Sequence, residues 1–176
     1  MGEVLSEYPR DSFYLASKMP GFGPEHWEHK EEIFETQLKK CRVDYFDFYL
    51  LHNINENCID VYKDSRWGII DYFIEQKKLG RIRHLGFSTH GTLATMKRFL
   101  DKYASEMEFC QIQLNYMDWD NQNAKELYRL SVEYGVQLVI MEPVRGGSLV
   151  SLCDEAVEIL KGAEPDRSIA SWAIRF

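Results

Sequence analysis

The chain has 176 residues, enough for one domain with a sizeable core, and its 45% hydrophobic and 28% charged residues exclude a disordered or fibrous class. A net charge of −7 with scattered Lys and Arg argues against a nucleic-acid partner. No apolar run approaches the ~18 residues of a membrane span, so no membrane partner is expected, and no signal-peptide pattern opens the chain. Cys41, Cys58, Cys110 and Cys153 stand far apart without CxxC or zinc spacing, and read as four buried or half-buried thiols of a cytoplasmic protein.

At the N-terminal end Val4, Leu5 and Tyr8 have helical spacing but no capping residue before them. An apolar strand over about 13–17 then stops at Lys18, before Pro20 and Gly21. After Pro24 a helix carries Trp27, Ile33, Phe34, Leu38 and Cys41 on one side. The second strand, about 45–51, runs into His52 and Asn53. A second helix with Trp67, Ile70, Ile74 and Leu79 ends at Gly80, a helix stop. The third strand, about 82–87, leads to Ser88, Thr89 and His90, and the helix after it carries Leu93, Met96, Phe99, Leu100 and Tyr103. The fourth strand, about 109–114, bears Gln111 and Gln113 and is followed by Asn115. A helix with Ala124, Leu127, Tyr128 and Leu130 closes at Gly135, and the fifth strand, about 136–141, ends at Glu142. A last helix starts from a cap at Asp166 or Ser168 and stops at Phe176.

Strands alternating with helices predict βαβ units and a parallel sheet. The nearly unbroken apolar runs "YFDFYLL" and "VQLVIM" predict strands covered on both faces. A (β/α)8 barrel typically needs about 250 residues, and five βα units are visible here. The expected fold is therefore an α/β, (β/α)8 TIM barrel, present as a partial barrel. Residues 1–176 are expected to be the central part of that domain, truncated at both ends.

Every strand ends in hydrogen-bonding or titratable groups, and in parallel α/β folds that edge of the sheet is where sites are built. His52 thus stands where core meets cleft. A single histidine or lysine at a strand end more often satisfies a structural role or snorkels to water; five such ends together point to a site. Competing motifs fail. "GFGPEH" lacks the third glycine of a dinucleotide fingerprint, and "GFSTHGT" has Thr92 where a P-loop requires Lys. His26 and His29, without a Glu-x-x-His context, read as a solvated helix face, and no metal site is expected.

At "DYFDFYLLHN", "KKLGRIRHLGFSTH" and "VIMEPVRGG" the chain resembles the aldo-keto reductases, and within them the bacterial and archaeal branch whose members carry a C-terminal ferredoxin-like segment. The resemblance implies NADPH or NADH bound across the C-terminal face of the barrel, and hydride transfer to the carbonyl of a small-molecule substrate. It also implies a Tyr–Lys–His–Asp tetrad that handles the proton. Lys18 in "ASK" matches the tetrad lysine and His52 in "LLHN" the tetrad histidine. Ser88 in "GFSTH" and Gln111 in "CQIQLNY" match the positions that hold the nicotinamide carboxamide. Thr89 stands where the family usually has Asn, Met141 falls near the residue that stacks on nicotinamide, and Glu142 follows it on the cofactor side. The tetrad Tyr and Asp are expected upstream of residue 1. A [4Fe–4S] cluster, if carried, would sit in a C-terminal segment absent from this chain. The chain alone is expected to be inactive.

Two other functions compete. Lys18 could be the nucleophile of a Schiff-base barrel lyase or aldolase, with His52 or Glu142 carrying the proton. The barrel could also be a non-catalytic nicotinamide-binding module.

Overall fold

The computed structural model describes residues 1–176. In chain order the elements are α1 (Gly2–Leu5), β1 (Ala16–Met19), α2 (Pro24–Glu28), α3 (Lys30–Cys41), β2 (Phe46–Ile54), α4 (Ile59–Lys63), α5 (Ile69–Lys78) and β3 (Ile82–Thr89). There follow α6 (Leu93–Tyr103), β4 (Phe109–Gln113), α7 (Asp118–Asn121), α8 (Ala124–Glu133), β5 (Gln137–Met141), α9 (Asp154–Ala163) and α10 (Ile169–Arg175). The five strands form one sheet in the order β1-β2-β3-β4-β5, every neighbour parallel. None of the helices is long and apolar enough to cross a membrane.

The register runs straight across the sheet: Lys18 pairs with Leu50, Leu50 with Gly86, Gly86 with Phe109, and Phe109 with Gln137. Because side chains alternate across a strand, the register sorts residues into two faces. One face buries Tyr49, Leu51, Leu85, Phe87, Cys110 and Ile112 beneath the helices, where Phe34, Phe73, Met96 and Phe99 meet them. The other carries Phe48, His84 and Phe109, with the Phe48 ring stacked on His84 and edge-on to Phe109. Gly86 is required on that face, since a Cβ there would lie 2.5 Å from the Phe109 carbonyl oxygen. Gly80 and Gly135, with φ of +75° and +68°, end α5 and α8 as expected.

Several expectations shift. The first strand covers Ala16–Met19, not 13–17, so Lys18 lies inside it. Asp47 ties the residue before β1 to β2: its Oδ2 accepts from the Leu15 N–H at 2.9 Å and from Arg10 at 2.6 Å, while the Leu15 carbonyl accepts from the Asp47 and Phe48 N–H groups at 3.0 and 3.2 Å. The second strand runs past His52 to Ile54. The helix expected after Pro24 is split at His29 into α2 and α3. The extra helix α4 was not foreseen, and Trp67 precedes α5. The helical spacing of Val4, Leu5 and Tyr8 is realised only as the single turn α1. Ser168, not Asp166, caps α10, its side chain accepting from the Ser171 N–H. Cys153 is exposed, contrary to the buried or half-buried expectation. "VQLVIM" reads as doubly covered, yet Val139 and Ile140 are 41% and 39% exposed, because β5 is an edge of the sheet.

Burial raises the Asp47 carboxyl, but the Arg10 hydrogen bond, the Leu15 N–H and the charges of Arg10 and Arg83 outweigh it and hold it below the ordinary carboxylate range. A depressed folded value contributes stability that is present above the unfolded value of about 3.9 and is lost as pH falls through the folded one. Asp47→Asn is therefore expected to lower stability at pH 7 and to flatten its acid limb below about pH 4. Urea melts of both proteins between pH 2 and 7 check this; parallel acid limbs would remove Asp47 as the source.

Candidate active site

The C-terminal half of β2 departs from a regular ladder. Leu51 pairs with Phe87 but Ile54 pairs with Thr89, so β2 holds one residue more than β3 over this stretch. The extra residue sits at His52–Asn53, where Asn53 takes φ +58°. Side chains satisfy three backbone groups at the irregularity, the Cys58 thiol donating to the Asn53 carbonyl at 2.9 Å. The Tyr62 hydroxyl donates to the His52 carbonyl at 2.9 Å, and the Asn53 N–H donates to Ser88 Oγ at 2.9 Å. His52 is thereby fixed by its own backbone.

Lys18 lies one strand away, paired with Leu50, two residues before His52. The His52 imidazole is half-buried, and its protonation is pushed below the ordinary histidine value by burial, then by the positive charge of Lys18, then by His90. It is neutral at pH 7. Further along the same face, Ser88 pairs with Gln111 and Gln111 with Val139. Ser88 is 2% exposed; its oxygen accepts from Asn53, which leaves its proton free to donate. Gln111 is half-buried beside it. Lys18, His52, Ser88 and Gln111 thus form one continuous polar band.

The other expected residues fare differently. Thr89 is 1% exposed; its hydroxyl donates to the Ile54 carbonyl at 2.6 Å and accepts from the Gly91 N–H at 2.9 Å. Both functions are spent on the turn, so Thr89 supports the site without facing it. Met141 pairs with Gln113, one step above Gln111, and is half-buried. Glu142 is exposed at φ +58°, and its carbonyl accepts from Asn115 Nδ2 at 2.9 Å. His26 is half-buried and ring-on-edge to Phe22 at 6.2 Å, so it is not part of a solvated face.

Four residues that hold this geometry had no sequence motif. Tyr62 is one. Glu56, in the turn after β2, accepts from the Thr92 N–H and hydroxyl and the Thr95 hydroxyl at the start of α6, which bring its carboxyl down to about 2. Asp118, fully buried, accepts from Gln113 at 2.8 Å and Asn115 at 2.6 Å, with Arg145 3.4 Å from its second oxygen. Phe22 meets His52 edge-on at 5.0 Å. Each is a single polar or aromatic residue in a short helix or a loop, visible only through the partners the fold gives it.

The aldo/keto reductase family model matches residues 1–175. The chain belongs to the aldo-keto reductase family. No curated protein matches the chain. Among solved structures, this family member is similar to an aldo-keto reductase from Bacillus halodurans in its holo form, with 24% identity, TM-score 0.74, and coverage of 98% of this chain and 60% of that one. An aldo/keto reductase from Brucella melitensis gives 22%, 0.73, 99% and 62%. One from Klebsiella pneumoniae, in complex with NADP and acetate, gives 18%, 0.68, 96% and 56%. These likenesses establish the fold as a partial (β/α)8 barrel, and the chain spans less than two thirds of each of the three solved chains. The cysteines of this family member do not fit an iron–sulfur cluster: all four are free, and burial pushes the Cys58 and Cys110 thiols up, away from the thiolate a cluster needs.

Lys18→Met is expected to raise the His52 titration midpoint, though not to the ordinary histidine value, because burial is the larger cause. A pH series of imidazole NMR shifts checks this. An unchanged midpoint would separate Lys18 from His52 electrostatically.

Proposed function

We propose that the complete protein is an NAD(P)H-dependent oxidoreductase that reduces a small aldehyde or ketone to an alcohol. The observation that carries this reading is a neutral His52 held beside Lys18, in one band with a hydroxyl and an amide, on the face of an aldo-keto reductase barrel. The Klebsiella pneumoniae relative was solved with NADP, which supports the choice of cofactor.

The residues present fit a nicotinamide carboxamide. Ser88 keeps a proton to donate to its oxygen, and the Gln111 amide can accept from its nitrogen. Met141, one step above Gln111, offers a thioether to the ring edge. The bound nicotinamide supplies a hydride to the carbonyl carbon. Neutral His52 donates its N–H to the carbonyl oxygen, and that bond strengthens as the oxygen gains charge. Lys18 favours the negative form of any phenol placed next to it. Tyr62 is the wrong phenol, since its proton is committed to the His52 carbonyl and burial raises its value. On the family resemblance we read the proton donor as a tyrosine outside residues 1–176, and these residues alone as inactive.

A Schiff-base lyase would need a desolvated amine. Lys18 is exposed and hydrated, which tells against that reading. A cytoplasmic location is part of this reading, and four free cysteines agree with a reducing compartment.

His52→Ala in the complete protein is expected to lower kcat about 10²–10³-fold, the loss of one donor to a developing oxyanion. Steady-state kinetics over an aldehyde panel check it, and unchanged kcat throughout would remove His52 from the mechanism. Gln111→Ala is expected to weaken NAD(P)H binding with little effect on Tm. Fluorescence quenching read beside a thermal melt distinguishes this from a structural role, in which Tm falls and affinity holds.

A further inference from the structure

In an extended strand successive carbonyls alternate between the two neighbouring strands. The carbonyls of His52 and Asn53 instead accept from one turn of helix. The Tyr62 hydroxyl donates to the His52 carbonyl and the Cys58 thiol to the Asn53 carbonyl, each at 2.9 Å. These donors stand four residues apart, joined by the bond from the Tyr62 N–H to the Cys58 carbonyl, so they share one face of the α4 turn. Two consecutive carbonyls reach that face only because Asn53, at φ +58°, has left the extended region. The turn thus selects the left-handed form of Asn53, which costs energy in an L residue unless its surroundings fix it.

Neither donor is free to follow a different backbone. Tyr62 is 1% exposed, and its hydroxyl is backed by Gly21, where a Cβ would lie 2.1 Å from it. The Cys58 thiol also accepts from the Asn55 N–H at 3.4 Å, and burial raises its value, so its proton stays. The peptide between His52 and Asn53 is held at both ends, its carbonyl by Tyr62 and its N–H by Ser88. We propose that Cys58 and Tyr62 are positioning residues for the reduction, acting through the backbone to set the reach of the His52 N–H toward the substrate oxygen. This rests on the carbonyl-reductase reading. A donor to a developing oxyanion works at about 2.7–3.1 Å from that oxygen, and a misplacement of about 1 Å costs up to about 100-fold in rate.

The complete protein is compared with its Cys58→Ala, Cys58→Ser and Tyr62→Phe variants, each shown to be folded by a thermal melt. Cys58→Ala and Tyr62→Phe remove one donor each and should lower kcat about 10–100-fold, with aldehyde KM and NAD(P)H affinity within about twofold. Cys58→Ser keeps a donor and should recover most of the kcat lost in Cys58→Ala. The His52 imidazole NMR shift, read without substrate, reports position because the Phe22 ring stands 5.0 Å away. It should move in the two variants that lack a donor and return in Cys58→Ser. An unchanged kcat in both, or a loss carried by KM, would overturn the proposal. Cys58→Ser as slow as Cys58→Ala would also overturn it, by assigning the effect to packing. Should one variant not fold, the other decides by the same readings. If the complete protein reduces no aldehyde, the shifts decide alone. Movement that Cys58→Ser reverses would support the positioning role and count only against the reductase reading, whereas unmoved shifts would overturn it.

Discussion

The site hangs on one irregularity in β2. A regular parallel ladder would send the backbone groups of His52 and Asn53 to the strands on either side of β2, and the extra residue there disrupts it. An unpaired buried backbone group costs as much as a lost hydrogen bond, so the irregularity persists only with substitutes. Tyr62 supplies the donor and Ser88 the acceptor. Both belong to the site by the same act: Tyr62 sets the turn that carries Phe22, and Ser88, having accepted from Asn53, is left with a proton to give.

Electrostatics then follow from placement. An imidazole next to an ammonium and half out of water is pushed toward its neutral form by both effects at once. A neutral imidazole donates one hydrogen bond without carrying a charge that would have to be solvated. The lysine stays exposed, free to act on a third group. Proximity of the two therefore divides their roles, one as uncharged donor and one as fixed positive charge.

Around this centre the loops are tied to one another by carboxylates. Glu56 reaches from the turn after β2 to the start of α6, accepting from the N–H and hydroxyl of Thr92, the residue that caps the helix, and from the Thr95 hydroxyl. Asp118 joins the end of β4 to Arg145, and Asn115, bonded to it, holds the Glu142 carbonyl in the turn after β5. A cleft floor made of strand ends needs its connecting loops held in a single arrangement, and a carboxylate with several donors does this through directional bonds.

Much of the architecture was legible along the chain. Alternating apolar runs and amphipathic stretches, stopped at Gly80 and Gly135, are local signals, and the parallel sheet with its helices followed from them. Polar residues at expected strand ends likewise single out Lys18, His52, Ser88 and Gln111 as candidates. What only the tertiary structure decided was the depth and partnership of each. Lys18 lies within its strand because the ladder of β1 with β2 continues to the Met19–Leu51 pair. Thr89 turned from a binding position into a support because its hydroxyl meets Ile54 and Gly91. Tyr62, Glu56, Asp118 and Phe22 acquired roles that no motif announces. Periodicity is written into neighbours three or four positions apart, whereas a hydrogen bond between residues 10 to 40 apart depends on a fold already closed, and one-dimensional order does not contain it.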